Sequence, residues 1–205
     1  MQFSFDAFTL IVTLVSLIFA ITLHEMMHAY VGYKLGDTTA LEEGRISLNP
    51  LRHIDPFATI LLPIITLIVF HAPILAAKPV PFNPSRVKYD EFGAAMIAAA
   101  GPLTNLLLAA IGGALAHLFV GNPTIFNVLT IFVSLNVGLF VFNLIPIPPL
   151  DGSRVLYAFA PDGVRGFMEQ LEQYGIFIVF GLVLFVPAFI DILINLNSAI
   201  SLFLL

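Results

Sequence analysis

The chain has 205 residues, 59% of them apolar and only 10% charged, with a net charge of -5. An average soluble domain is roughly 45–50% apolar and 25% charged, so eight basic and thirteen acidic residues leave too little charge for a soluble surface. Together with a mean hydropathy of +1.00, this excludes a soluble globular enzyme, a disordered chain and a basic nucleic-acid binder, and indicates an all-α integral membrane protein. The chain has no cysteine, so disulfides, thiolate metal sites and cysteine nucleophiles are excluded as well.

In chain order, residues 7–23 are uncharged and run straight into His24-Glu25-Met26-Met27-His28. With no basic stretch before it and no small-residue cleavage site after it, this block reads as a retained span, not a signal peptide. Residues 44–49 alternate apolar and polar, which suggests a short strand. Block 56–77 is uncharged, and Pro63 and Pro73 break it. Blocks 92–120 and 123–145 are split by Gly121-Asn122-Pro123. Block 174–190 follows, and a short apolar tail over 191–205 is marginal in length for a span. About five transmembrane helices are expected, in a single domain over 1–205.

All eight basic residues lie between Lys34 and Lys88 or at Arg154 and Arg165. The positive-inside rule puts both regions in the cytoplasm and the N-terminus outside. Block 56–77 has basic residues on both sides, so a re-entrant hairpin that enters and leaves on the cytoplasmic side is expected there. Non-helical backbone at that depth is tolerated where protein buries it.

The chemistry begins at His24 and His28. Four residues apart on a helix, they share one face and can offer two imidazoles to one metal, while Glu25 can reach a metal-bound water. Catalytic zinc generally takes three protein ligands and leaves a position for water. Without cysteine the third ligand must be His, Asp or Glu. Asp151 is the best candidate, because the prolines before it (Pro146, Pro148, Pro149) stop regular helix and leave its carboxylate on irregular backbone near membrane depth. An ordinary Asp-Gly turn is the alternative reading. His53 and Asp55 suggest a polar turn at the cytoplasmic mouth, while His71 and His117 have no partner at ligand spacing.

Three motifs in order, HEMMH at 24–28, AAAGPLTN at 98–105 and NLIPIPPLDG at 143–152, resemble the site-2 proteases, a family of intramembrane zinc metalloproteases. The stretches NPLRHIDPFATILLP and AKPVPFNP resemble its compact prokaryotic branch, and the length leaves no room for a recognisable PDZ or CBS domain. The resemblance implies one Zn²⁺ per chain on His24, His28 and Asp151, with Glu25 as the catalytic base. It implies that Asn143 steadies the oxyanion, and that Asn105, Pro149 and Gly152 border the substrate cavity. Asn143 could instead make a packing or cap hydrogen bond, and Asn105 an interhelical one. The implied partners are the bilayer and a transmembrane protein substrate, cut in or near its membrane segment by an enzyme of the cell membrane opening toward the cytoplasm. Two rival readings share the ligands. A non-catalytic membrane metal carrier or sensor leaves Glu25 without a role, and a zinc hydrolase of small or lipid substrates differs only in its products.

Overall fold

The structure is a computed structural model that describes residues 6–55, 78 and 80–205. It is helical, and there is no strand among the described residues. Helix α1 spans Ala7–Lys34, and its start is fixed by Asp6, whose carboxylate accepts the Phe8 and Thr9 amides. Its inward face carries small and polar residues (Ser16, Ala20, His24 and His28 at four-residue intervals), while Ile11, Val15 and Phe19 point outward. This reverses the amphipathicity of a soluble helix and lets backbones approach closely in lipid.

A four-residue helix, α2 (Thr39–Glu42), follows. The strand expected at 44–49 is not there. Gly44 takes a positive φ of 67°, and Asn49 caps a 3₁₀ turn over Pro50–Arg52. Between them the Arg45 side chain turns inward to donate to the carbonyls of Arg52 and Lys78. The alternation of six residues is thus overridden by turn chemistry and one buried guanidinium. His53 is buried and bonds the Ser47 carbonyl through Nε2 at 2.8 Å, in the polar turn expected of it. The hairpin expected over 56–77 lies outside the described residues. Its flanks are described, and they meet: the Lys78 amide donates to the His53 carbonyl at 3.1 Å.

Helix α3 (Asp90–Leu118) and helix α4 (Pro123–Asn143) pack against α1 and against each other. The inner face of α3 is a stripe of small residues, among them Ala98, Gly101, Ala109 and Ala116, and α4 meets it with Val133 and Val137. Asn122 caps α4 by accepting the Ile125 amide, and Pro123 occupies its first position. After α4 the chain turns irregularly through 144–150 and enters α5 (Asp151–Phe159), α6 (Asp162–Glu172), α7 (Gly175–Phe185) and α8 (Pro187–Leu204).

Among the described residues, four helices are long and apolar enough to cross a membrane: α1, α3, α4 and α8. The division expected near residue 190 falls instead at Val186-Pro187, because proline has no N–H and disfavours helix at the residue before it. The tail, joined to 187–190, therefore becomes a span-length helix. Helix α7 has 11 residues, about 16 Å, and is bent 77° from α6; counted as one span, that pair makes five. The chain is a multi-pass membrane protein and a bilayer is its environment.

Candidate metal centre

Helix α1 carries His24 and His28 on one inward face, and the rings meet edge to face with Nε2 atoms 2.9 Å apart. Asp151 arrives from the far side. Its Oδ2 lies 3.2 Å from His24 Nε2 and 3.4 Å from His28 Nε2. The carboxylate is not on irregular backbone as the prolines suggested: it sits in the first turn of α5, immediately after that segment. Gly152 makes this turn possible, since a Cβ there would fall onto the Leu144 carbonyl. Gly152 thus closes the 144–152 turn and does not line the cavity.

The tautomers follow from the outer partners. His28 Nδ1 faces the Ile97 carbonyl at 2.7 Å, which can only accept, so Nδ1 carries the proton. His24 Nδ1 faces Asn105 Oδ1 at 2.6 Å. The Asn105 amide is oriented by donating to Asn136 Oδ1 (3.1 Å) and the Ala20 carbonyl (3.4 Å), and Asn136 in turn donates to the Phe132 carbonyl. With both Nδ1 atoms protonated, both Nε2 atoms present lone pairs. With neutral rings, two nitrogen lone pairs and a carboxylate oxygen converge, and Asp151 Oδ2 is buried without a hydrogen bond.

Three acceptors in that arrangement repel one another unless a cation sits among them. At zinc bond lengths of 2.0–2.1 Å the edges of a tetrahedron are about 3.3 Å, close to the 2.9, 3.2 and 3.4 Å found here. These three residues are the metal-competent group among the described residues. The backbone leaves the space: a Cβ on Gly101 of α3 would lie 2.5 Å from His24 Nε2 and against His28 Nε2. Pro102, next along, lacks the N–H that would close on the Ala98 carbonyl.

A cavity of about 480 Å³ opens at this point. It is lined by His24, Glu25, His28 and Asp151, and by Asn143 and Pro149. Glu25 is buried at its wall. Asn143 ends α4 with its amide nitrogen bonded to its own Leu139 carbonyl at 3.0 Å. Asn105 is fully buried and does not line the cavity; it stands behind His24. Sequence reasoning overlooked Gly101 and Asn136. A polar residue within an uncharged span was the one available signal for Asn136.

Residues 120–187 match peptidase family M50. The chain is 43% identical over 184 residues to "Putative zinc metalloprotease YwhC" of Bacillus subtilis, covering 84% of this chain and 78% of that protein. It is 32% identical over 157 residues to MJ0611 of Methanocaldococcus jannaschii, named in the same terms, covering 75% of each. A protein so named from Mycolicibacterium smegmatis, Rip2, is 26% identical over 167 residues, covering 78% of this chain and 61% of that protein. No solved structure matches. With its spans, its converging donors and these relatives in view, the chain belongs to peptidase family M50, the site-2 proteases, and is a zinc metalloprotease of that family.

Proposed function

We propose that residues 1–205 form a single intramembrane metalloprotease domain that hydrolyses a peptide bond within or near the transmembrane segment of a membrane-protein substrate. The observation that carries the reading is the convergence of His24 Nε2, His28 Nε2 and Asp151 Oδ2 at tetrahedral-edge distances in the cavity that Glu25 also lines. His24, His28 and Asp151 hold one Zn²⁺, which when bound acidifies a water and polarises the scissile carbonyl. Glu25 accepts the proton of the attacking water and returns it to the leaving amine. Asn143, at the cavity wall, has a second amide hydrogen to offer the developing oxyanion. Pro149 shapes the wall beside Asp151. Asn105 holds the His24 tautomer, and Gly152 holds the turn that delivers Asp151.

The enzyme belongs in the cell membrane, with its N-terminus outside and its cavity open to the cytoplasm. The basic residues of 34–88 and 154–165 support that orientation, and so does the bond between the two flanks of block 56–77. Ser85→Cys in this cysteine-free chain is then labelled from the cytoplasmic side only; labelling from outside would reverse the orientation.

Glu25→Gln tests the chemistry. Zinc content stays at the wild-type level, while cleavage of a transmembrane peptide falls by about 10²-fold or more. Retained cleavage would remove Glu25 from the mechanism, and zinc binding without peptide cleavage by the wild-type protein would turn the reading toward a metal carrier. Because a helical substrate buries its amides in internal hydrogen bonds, peptides with Gly, Pro or Asn near the scissile bond are cut faster than matched Leu/Ala spans.

A further inference from the structure

Helix α8 packs inward through one face. Leu193, Ile200 and Leu204 meet the cluster around Val133 and Val137, and the polar groups of that face are satisfied there. The Asn197 amide donates to the Ser134 carbonyl at 3.1 Å, and its oxygen accepts from the Ser201 hydroxyl at 2.9 Å. Roughly 130° round the helix runs a second polar stripe: Asp191, Asn195 and Ser198. All three are exposed, and among the described residues none of their side chains makes a hydrogen bond. The rest of the outer face carries Ile192, Leu196 and Phe203, the apolar surface that lipid tails require.

The depth of the stripe follows from its neighbours. Asn197 packs beside Ser134 and Gly138, and Leu204 beside Gly113 of α3, whose neighbour Gly112 meets Val133. Helix α8 therefore runs antiparallel to α4. Asp191 lies level with the last turn of α4, and Asn195 about 6 Å further into the bilayer. An amide or hydroxyl at that depth has no water to bond, and leaving it unpaired in hydrocarbon is costly. A second span bearing polar groups of its own relieves that cost.

The chemistry of the stripe suits a copy of itself. Copies inserted the same way share one orientation, so a two-fold axis along the membrane normal sets α8 parallel to α8, each residue against its counterpart. Asn and Ser each carry a donor and an acceptor and are thus their own complements. Asp191, Asn195, Ser198 and Leu202 follow at intervals of 4, 3 and 4 residues, the seam spacing of a left-handed helix pair. Ser198 and Ala199 are small enough to let two backbones approach. Asp191 meets its counterpart at the cytoplasmic edge, where water and ions screen like charges.

We propose that the chain forms a two-fold dimer through α8, with Asn195 paired to Asn195 across the seam. No residue of α8 lines the metal cavity, so each copy keeps its own site accessible. The dimer stands or falls independently of the protease reading.

The test uses the full chain, which has no native cysteine. Ser198→Cys and Leu196→Cys, the latter on the apolar side of the outer face, are each reconstituted in excess lipid and oxidised with copper-phenanthroline in air. Ser198→Cys gives a disulfide-linked dimer, and Leu196→Cys stays monomeric. Equal cross-linking of both marks random collision and overturns the proposal, as does no cross-linking of either. The same oxidation in cell membranes distinguishes the occupants. An adduct of twice the chain's mass supports the second copy, whereas an adduct with a different polypeptide, a substrate included, overturns it. A second measurement reads the strength of the pair. Energy transfer between chains labelled through Ser85→Cys, followed as lipid is added, gives a dissociation constant that Asn195→Leu raises about ten-fold, the loss of interhelical hydrogen bonds. Asn195→Gln, which keeps a donor and an acceptor, stays near the wild-type value. An unchanged constant in Asn195→Leu overturns the pairing.

Discussion

The two walls of the cavity are fastened in different ways. On the α1, α3 and α4 side, His24, Asn105 and Asn136 form a relay across three helices, and both asparagines are 0% exposed. On the α5–α7 side, α6 is tied to α5 by the Arg154–Glu172 ion pair, whose side chains are 40% and 47% exposed, and by the Tyr157–Glu169 hydrogen bond. Buried hydrogen-bonded networks are costly to break because their groups have no water to turn to, whereas exposed ion pairs are worth about 0–1 kcal/mol. The two imidazoles are therefore fixed by the first wall, and Asp151 by α5, which packs against α3. The exposed pairs fasten only α6 to α5, beside the hydrogen bonds from Arg165 to the Tyr157 and Ala158 carbonyls.

The sharpest way to break the first wall is Gly101→Ala. A methyl there occupies the space between the two Nε2 atoms, so zinc stoichiometry falls to near zero and cleavage is lost, while circular dichroism keeps its helical signal. Full zinc occupancy in this variant would move the metal away from the imidazole pair. A milder attack acts behind the ligands. Asn105→Ala lowers zinc affinity about 10–100-fold, as loss of a ligand's outer partner does. Asn136→Leu has a smaller effect in the same direction, because it removes only the acceptor that orients Asn105. Chelator competition ranks the three proteins, and wild-type affinity in Asn136→Leu would end the relay at Asn105.

Asp37 sharpens the comparison from outside the membrane. Burial raises its pKa, but the Thr39 hydroxyl, the Asn83 and Thr39 amides and Arg86 outweigh burial and hold the carboxyl below its ordinary value of 3.8. A depressed folded pKa means that the stabilisation is complete above that value and is lost as pH falls through the folded one. Hydrogen exchange at Asn83 therefore accelerates in strongly acidic solution, and Asp37→Asn removes the pH step. An unchanged step would assign it to another carboxylate. The smallest effect belongs to the second wall. Arg154→Ala leaves zinc affinity unchanged and lowers the stability read from thermal unfolding by no more than about 1 kcal/mol, and raised salt brings the wild type toward the variant. A loss of zinc in Arg154→Ala would couple the two walls.

Much of this was legible in the residues themselves. The spacing of His24 and His28 fixes a shared helical face, and the absence of cysteine narrows the third donor. The charge asymmetry supports the proposed orientation of the chain. What was not legible depends on approach between distant segments. Nothing local to Gly101 reveals that α1 passes within a methyl's width of it. Asn105 reads equally well as a cavity or a packing residue until α1 is in place. The alternation at 44–49 suggested a strand because periodicity carries no information about Arg45, which is held by carbonyls up to 33 residues away. The helix boundary at Pro187 was legible in principle, since proline marks it, but continuous hydropathy across 174–205 obscured it.

The donor set has one more consequence. The groups proposed to hold the zinc, two imidazoles and a carboxylate, contain no sulfur, and the chain offers no cysteine in exchange. Peroxide, which disables thiolate metal sites by oxidising their ligands, has no ligand to attack here. Acid remains an effective agent, because protonating either Nε2 removes the lone pair that binds. A membrane protein with this centre should keep its metal through oxidative stress and release it on acidification, the reverse of the behaviour of a cysteine-bound zinc exposed to peroxide at neutral pH.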